Sequence, residues 1–367
     1  MKRAIPFLLA LCPAFHAGAE DKLVGGPYAV NVGPRSATVV WIVETGQASL
    51  GTAPGKPDKT SPVLRAEKAS FTGLQPGTTY YYDIPGRDDG KGSFKTAPNG
   101  PAPFQFVVFG DTRTRHDVHR QVMSAVLKYA APDFVLHTGD LVANGGDSSL
   151  WPIFFDIERD LLRKAAFFPS LGNHERNTPR FYDFFDLETS YYSFNWGASH
   201  FVVLNSDIGN ISTSASARDA FWNEQVRWLK ADLEKSQSAD FRFIVAHHPP
   251  ISAVARRQGN NPHMTALMPL FERWKVTAAF FGHDHNYQHY LKSGVHYFIT
   301  GGGGAPLYDV DKPPAGIALK VEETENFMVV RVDGGKVHLE ALKPDGELLD
   351  SADLGAQASA PEPITHR

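Results

Sequence analysis

Residues 104–111 read Phe-Gln-Phe-Val-Val-Phe-Gly-Asp, an almost continuous apolar run that ends in a glycine and an aspartate. Residues 134–140, Phe-Val-Leu-His-Thr-Gly-Asp, repeat this arrangement further along the chain. Short apolar runs of this kind are typical of strands buried on both faces of a sheet. Similar runs predict further strands at residues 167–171, 201–204, 241–246, 278–281 and 297–300. Helical patterns between the strands, at 117–130 and 221–236, predict an α/β domain.

A polar, metal-ligating side chain follows five of these predicted strands. The five blocks are Gly110-Asp111, Gly139-Asp140, Gly172-Asn173-His174-Glu175, His247-His248 and Gly282-His283-Asp284-His285. The carboxyl ends of strands in an open α/β sheet lie at one edge, so we expect these side chains to converge. Carboxylate, amide and imidazole ligands without thiolates suit Zn, Mn or Fe. The sequence therefore predicts a metal site at this edge.

The spacing within the blocks adds geometric expectations. The glycine before most of the ligands predicts a sharp turn and a close approach of the backbone to the site. His283 and His285 are separated by one residue, so an extended segment would direct both imidazoles to the same side. The Asp140 carboxylate offers two oxygens and can bridge two metals. Either His247 or His248 can be the ligand of its block, and the strand that leads directly into His247 favours that residue.

The five blocks resemble those of the calcineurin-like metallophosphoesterases over about residues 104–300. The resemblance implies an α/β (α+β) fold of four layers, a metallophosphoesterase β-sandwich flanked by helices. It also implies two divalent or trivalent metal ions (Fe, Zn or Mn) and hydrolysis of phosphate esters by a metal-bound water or hydroxide. Monoester hydrolysis, as in acid phosphatases, is the first expectation, and phosphodiester hydrolysis at the same site is the alternative. An alternative of another class is a non-catalytic surface binding protein.

The resemblance gives roles to individual residues. One metal would be held by Asp111, Asp140 and His285, and the other by Asp140, Asn173, His247 and His283. His174 would donate a proton to the leaving alkoxide, and Glu175 would orient a neighbouring group. His263, in a loop after the histidine pair, resembles a family histidine that approaches the substrate, which makes it a candidate substrate-binding residue.

The chain departs from the family pattern at the first metal. Many relatives carry Asp-x-His in the first block, where this chain has Arg113, and purple acid phosphatases carry a tyrosine where it has Ala143. The first metal therefore lacks both usual additional ligands. We expect His119, in preference to His116, to complete the site. Arg113 is expected either to bind the substrate phosphate through its bidentate guanidinium or to form a surface salt bridge.

Residues 22–98 contain short β-branched and aromatic runs separated by glycine and proline, which predict an all-β domain. The segment from Gly73 to Tyr80 resembles the tyrosine corner of sandwich domains, and Trp41 occupies the place of a core tryptophan. The region therefore resembles a fibronectin type III module, an immunoglobulin-like sandwich, and together with the metal blocks it resembles the purple acid phosphatase branch. We expect the catalytic domain at 103–345 and a flexible tail at 351–367.

Residues 1–19 have the pattern of a secretory signal peptide. Lys2 and Arg3 precede an apolar stretch, and small residues up to Ala19 suit cleavage. The apolar stretch falls short of the roughly 20 residues of a membrane span. We therefore expect a periplasmic or secreted protein without membrane association after cleavage. Cys12 is the only cysteine and lies within the signal, which excludes a cysteine nucleophile or a thiolate metal site in the mature protein.

Composition limits the remaining function classes. The chain has 367 residues, of which 42% are hydrophobic and 21% are charged, values typical of globular proteins rather than disordered ones. Its formal net charge of −4 argues against nucleic acid as a dedicated partner. A small phosphate ester is the partner that the predicted site favours.

Overall fold

The computed structural model describes residues 21–87 and 89–355. The predicted signal peptide lies outside these residues. The strands within them are β1 (Lys22–Val30), β2 (Ser36–Leu50), β3 (Lys59–Thr72), β4 (Thr79–Asp83), β5 (Lys91–Lys95), β6 (Phe104–Phe109), β7 (Phe134–His137), β8 (Ala166–Pro169), β9 (Tyr192–Trp196), β10 (Ser199–Val203), β11 (Phe241–Val245), β12 (Ala278–Phe281), β13 (Tyr287–Lys292), β14 (Val295–Thr300), β15 (Ala318–Glu322), β16 (Phe327–Asp333), β17 (Lys336–Leu342) and β18 (Leu348–Gly355).

The α-helices of the same residues are α1 (His116–Tyr129), α2 (Trp151–Leu162), α3 (Pro179–Phe185), α4 (Ala215–Lys235), α5 (Pro262–Thr265) and α6 (Met268–Arg273). Short 3-10 turns occur at Ile208–Asn210 and Ala255–Arg257. In the described part of the chain, none of the helices combines the length and apolar character needed to cross a membrane.

Two large mixed sheets form the centre of the protein. One has nine strands in the order β18-β17-β16-β6-β7-β8-β1-β2-β3, and the other has seven in the order β15-β13-β14-β12-β11-β10-β9. The strands β6, β7 and β8 are parallel, as are β10, β11, β12 and β14. Parallel neighbours end at the same edge of a sheet, so the loops that follow them are brought together.

Three apolar clusters define the layers. The two sheets face each other across an aromatic core, in which the Phe106 ring lies 5.4 Å from Phe201 and 5.7 Å from Phe243 of the opposite sheet. A second cluster joins the nine-stranded sheet to α1, α2 and α3, and a third joins the seven-stranded sheet to α4, α5 and α6. The resulting helix–sheet–sheet–helix order is that predicted for a metallophosphoesterase.

The N-terminal strands are part of the large sheet. The strand β1 pairs in parallel with β8 at Ala29 and Ala166, and β2 and β3 continue the sheet outward. Buried residues of β1 and β2 contribute to both clusters on the two sides of this sheet. The predicted tyrosine corner has its hydrogen bond, since the Gln75 N–H donates to Tyr80 Oη at 2.8 Å. Trp41, however, is only partly buried, and the fibronectin type III identity is not confirmed.

The C-terminal boundary differs from the expectation. Residues 351–355 belong to β18, which pairs antiparallel with β17, so the sheet continues beyond residue 345. Leu349 and Leu354 anchor the strand, with only 7% and 8% of their surfaces exposed. The prediction of a tail that begins at 351 is therefore wrong for these five residues, because apolar side chains on one face tie them to the core. The remainder of the predicted tail lies outside the described residues.

Candidate metal centre

The six side chains predicted as metal ligands lie together just beyond the carboxyl ends of five strands. They are Asp111 after β6, Asp140 after β7, Asn173 after β8, His247 after β11, and His283 and His285 after β12. The first three come from the nine-stranded sheet and the others from the seven-stranded sheet. Because the two sheets face each other, their strand ends form opposite walls of one site.

Three of these residues adopt a backbone conformation that residues other than glycine rarely take. The φ angles are 58° at Asp111, 57° at Asp140 and 69° at His283, a left-handed conformation that costs about 1–3 kcal/mol each. The preceding glycine is needed mainly for space, since a Cβ on Gly282 would lie 2.4 Å from Asp111 Oδ2. Among the glycines that directly precede the ligand blocks, Gly139 is the one with a positive φ, of 98°. The predicted close approach is therefore present, but the sharp turn is mostly made by the ligands.

One part of the site, which we call the histidine half, consists of Asn173, His247 and His283. Asn173 Oδ1 lies 3.1 Å from both His247 Nε2 and His283 Nδ1, and these two nitrogens are 3.2 Å apart. Ligand atoms at about 2.0–2.1 Å from one tetrahedral ion lie roughly 3.4 Å from each other. The spacing in the histidine half therefore suits a single metal ion.

The other part, which we call the carboxylate half, consists of Asp111, Asp140 and His285. Asp111 Oδ1 lies 3.4 Å from His285 Nε2 and is buried without a hydrogen-bond donor among the described residues. Ligand atoms of the three residues all lie within 4.8 Å of one another. Asp140 also reaches the histidine half, because its Oδ1 lies 3.4 Å from His247 Nε2. The Asp140 carboxylate therefore contacts ligand atoms of both halves.

Backbone carbonyls orient two of the imidazoles. His247 Nδ1 donates to the Thr138 carbonyl at 2.9 Å, and His285 Nδ1 donates to the Pro306 carbonyl at 2.6 Å. A carbonyl oxygen only accepts hydrogen bonds, so the proton of each neutral ring is on Nδ1 and the lone pair is on Nε2. Metal-ligating histidines are commonly oriented by such a bond on the opposite nitrogen.

The electrostatics of the site favour positive charge. Burial lowers the pKa of His247, but the Asp140 and Asp111 carboxylates outweigh it and raise that pKa to about 10. Burial likewise opposes ionisation of Asp140, yet His247 and His174 bring the pKa of Asp140 below its ordinary value. In the absence of an ion, a proton on His247 supplies the positive charge that these buried carboxylates require.

Glu175 holds the turn that carries Asp140. Its carboxylate accepts hydrogen bonds from the N–H groups of Gly172 at 2.8 Å, Asp140 at 2.9 Å, Leu141 at 2.8 Å and Val142 at 3.2 Å. Burial and the nearby Asp140 charge raise the pKa of Glu175 to about 8, against the effect of these donors. The expected orienting role thus has a definite target, which is the backbone of the second ligand block.

His174 lies at the accessible side of the centre. Its Nδ1 donates to the Ala143 carbonyl at 2.8 Å, which directs Nε2 toward Asp140, 3.9 Å from Oδ2. The side chain is 29% exposed, so a substrate can reach it. Ala143 stands where purple acid phosphatases carry a tyrosine. It contributes its backbone carbonyl to the site, as the acceptor for His174.

Arg113 points into the site. Its Nε lies 3.4 Å from Asp140 Oδ2, and its side chain is only 13% exposed. The alternative of a surface salt bridge is therefore wrong, because the partner carboxylate is 2% exposed. The arginine adds one positive charge next to the Asp140 carboxylate.

His119 lies away from both halves of the centre. Its Nε2 lies 2.8 Å from Glu158 Oε1 of α2, and the two side chains are 1% and 0% exposed. The helix α1 begins at His116, so His119 is its fourth residue. The fourth position of α1 therefore faces α2, and the preference for His119 as a ligand is wrong. His116 is also absent from the metal-capable groups of the described residues.

His248 and His263 surround the histidine half. His248 is close enough to His247 and His283 to form a metal-capable group with them, and its Nδ1 is hydrogen-bonded to Ser206 Oγ at 2.9 Å. His263 Nε2 lies 3.0 Å from the carbonyl of the same serine. His263 and His248 therefore contact the same serine, and His247 has the closer contacts with the other predicted ligands.

Sequence reasoning missed one residue beside His283 and His285, which is Arg257. Arg257 contacts His283 Nε2 and lies 3.4 Å from buried Asp284, while the Tyr308 ring stacks on His285 at 4.0 Å. No motif marks Arg257, since its only signal is a position in the loop after His247-His248. The glycine run after β14 also approaches the site, where the Gly303 N–H donates to the Gly110 carbonyl at 3.0 Å.

The donor set fits metal ions of the expected kind. The Asp140 carboxylate links two groups of converging donors, and Asp111 Oδ1 is buried without a donor among residues 21–87 and 89–355. The Nδ1 hydrogen bonds of His247 and His285 leave their Nε2 lone pairs available to an ion. Oxygen and imidazole ligands without sulfur suit Zn, Mn or Fe. Fold and site together define a metallophosphoesterase-type α/β fold that carries a candidate metal centre.

Comparison with known proteins gives the family. The sequence profile of the calcineurin-like phosphoesterases matches residues 104–287, and the chain belongs to this family. An uncharacterized protein of Mycobacterium tuberculosis is 27% identical over 272 residues, 63% of this chain and 51% of that protein. Purple acid phosphatase 1 of Ipomoea batatas is 24% identical over 274 residues, 65% of this chain and 55% of that protein.

A structural relative extends the likeness to most of the chain. A purple acid phosphatase from yellow lupin (Lupinus luteus) seeds superimposes with a TM-score of 0.69 at 18% identity, covering 93% of this chain and 77% of that one. The chain spans about half the length of the curated relatives it matches. The chain thus shares its fold with this structure.

Proposed function

We propose that the protein is a secreted enzyme with two metal ions that hydrolyses phosphate monoesters. The observation that carries this proposal is the position of Asp140 between the carboxylate half and the histidine half. A centre for one ion does not need a carboxylate in contact with two separate ligand sets. Secretion is supported by the signal-like residues at the N-terminus.

The six ligand side chains would hold the two ions in the two halves, with Asp140 common to both. When bound, the ions would supply neutralisation of phosphate charge and acidification of a water molecule. Glu175 and the carbonyl of Thr138 would keep Asp140 and His247 in place. The protein then has to bind the phosphate and protonate the leaving alcohol.

Two residues on the open side suit these tasks. Arg113 would donate to a phosphate oxygen, because its guanidinium is planar, always charged and held beside Asp140. His174 would deliver a proton from Nε2 to the leaving oxygen, with its Nδ1–H held by the Ala143 carbonyl. His263, which the sequence suggested for substrate binding, would act less directly, through Ser206 and His248.

The test compares nitrophenyl phosphate and bis(nitrophenyl) phosphate as substrates and counts metals in the same purified sample. We expect two metal ions per chain and a higher kcat/KM on the monoester. A higher kcat/KM on the diester would favour the phosphodiesterase alternative at the same site. Two bound metals without hydrolysis of either ester would favour the non-catalytic binding protein.

A further inference from the structure

An aromatic side chain with two arginines lies beside the carboxylate half. The Tyr308 ring stacks on His285 with centroids 4.0 Å apart and planes within 22°. The guanidinium carbon of Arg256 lies 4.4 Å from the centre of the Tyr308 ring, and that of Arg257 lies 4.8 Å away. Arginine is held over an aromatic face by cation–π attraction. A continuous stack thus leads from a metal ligand to two positive charges.

Hydrogen bonds tie the arginine loop to the segment that carries Tyr308. The Ala255 N–H donates to Asp311 Oδ1 at 2.8 Å, and the Lys312 N–H donates to the Ala253 carbonyl at 2.8 Å. Gln258 Nε2 donates to the Lys312 carbonyl at 2.6 Å. These contacts fix both segments relative to each other, so a ligand would not have to order the arginines when it binds.

The two arginines differ in their partners. Arg257 Nε lies 3.4 Å from the buried Asp284 carboxylate, and its side chain is 15% exposed. Arg256 is exposed, and within residues 21–87 and 89–355 it forms no ion pair with a carboxylate. Its charge remains available on the rim, held in place by the Tyr308 ring.

We propose that Arg256, held on Tyr308, binds a second anionic group of the substrate. The preferred substrates would then be phosphate esters whose alcohol part carries a carboxylate or another phosphate. This inference rests on the proposed function, because the reacting phosphate has to lie at the metal centre. A guanidinium donates two parallel hydrogen bonds to either anion, which makes arginine suited to both.

The experiment uses two esters that differ by one carboxylate, 3-phosphoglycerate and glycerol 3-phosphate. The readout is the ratio of their kcat/KM values. We expect Arg256→Gln to lower this ratio about tenfold, the size of one charge-assisted hydrogen bond. Tyr308→Ala should lower it as well, whereas Tyr308→Phe, which keeps the stacking ring, should preserve it. A bisphosphate compared with its monophosphate shows whether a second phosphate is preferred to a carboxylate.

Arg273→Gln is the matched control. Arg273 also stacks on an aromatic ring, with its guanidinium 5.9 Å from Trp274, but it lies on α6. Equal ratios for wild type, Arg256→Gln and Arg273→Gln would overturn the proposal. Calorimetric titration with phosphonate analogues of the two esters tests the Arg256 subsite separately from the proposed hydrolytic function. Arg256-dependent preference for the carboxylated phosphonate without any hydrolysis would refute the proposed function and leave the subsite standing.

Discussion

The carboxylate half and the histidine half of the centre lie on the same edge of the fold but differ in charge and in neighbours. The carboxylate half has two buried aspartates and one imidazole, whereas the histidine half has two imidazoles and an amide. Arg113 lies against the carboxylate half, and His248 lies against the histidine half. Hard oxygen ligands and borderline nitrogen ligands select different ions. The comparison predicts that two ions bound as proposed would not be equivalent, with Asp140 as the group that couples them.

The largest effect should come from Asp140→Asn, which alters both halves at once. A neutral amide bridges two cations poorly, so we expect at least about a thousandfold loss of kcat and fewer than two metals per chain. Metal analysis and kinetics on one preparation measure both effects. Asn173→Asp, which adds charge to only one half, is the comparison variant. Wild-type hydrolysis by Asp140→Asn with both metals bound would refute the shared-carboxylate mechanism.

His174→Ala tests the proposed proton donor, which lies on the accessible side of the centre. General acid catalysis contributes about 10²–10⁴-fold when the leaving group is a poor one. We therefore expect a loss in that range on alkyl phosphates and a much smaller loss on nitrophenyl phosphate, whose leaving group needs no proton. Kinetics on both substrates give the two values. Equal losses would mean that His174 binds substrate or maintains structure instead.

His247→Ala and His248→Ala separate two adjacent histidines. His247 has the closer contacts with Asn173 and Asp140, so its removal should weaken the metal of the histidine half by about 10–100-fold. That range is typical even for groups that merely support a ligand. His248→Ala should retain both ions, because Asn173 Oδ1 contacts His247 and His283 in the histidine half. Metal content after dialysis against a weak chelator reports this directly. Loss of an ion only in His248→Ala would exchange the two assignments.

Arg113→His should affect the carboxylate half alone. It removes a positive charge next to Asp140 and supplies the imidazole found in many relatives of the family. We expect this half to bind its metal about tenfold more tightly, as a change of about 1.4 kcal/mol in binding energy would produce. Metal titration of Arg113→His and Arg113→Lys provides the measurement, since the lysine keeps the charge. An unchanged affinity in both variants would show that Arg113 does not compete with the metal.

The smallest expected signal is the colour of the iron-loaded protein. Purple colour in the enzymes it resembles comes from a tyrosinate bound to ferric iron, and Ala143 stands at that position. We expect no intense visible band in an absorption spectrum of the iron-loaded enzyme. A strong band would identify another tyrosine as a ligand, and Tyr308→Phe would then test the ring that stacks on His285.

The sequence determined the fold class and the members of both halves. Buried strands have a recognisable apolar pattern, and Asp111 or Asn173 follows such a strand at the one edge where ligands can converge. Local patterns also indicated the tyrosine corner, because its hydrogen bond joins residues only five positions apart. Each of these features depends on residues close together in the chain, which is why they could be predicted from it.

Only the tertiary structure decided what depends on contacts between distant segments. The pairing of β1 with β8 joins the N-terminal strands to the large sheet, and the pairing of β18 with β17 orders residues that have a tail-like composition. His119 is directed to Glu158 by the packing of α1 on α2. Arg256 and Tyr308 meet because two loops cross at the rim of the centre. No local sequence pattern predicts these contacts, because each depends on how separate elements pack rather than on the order of neighbouring residues.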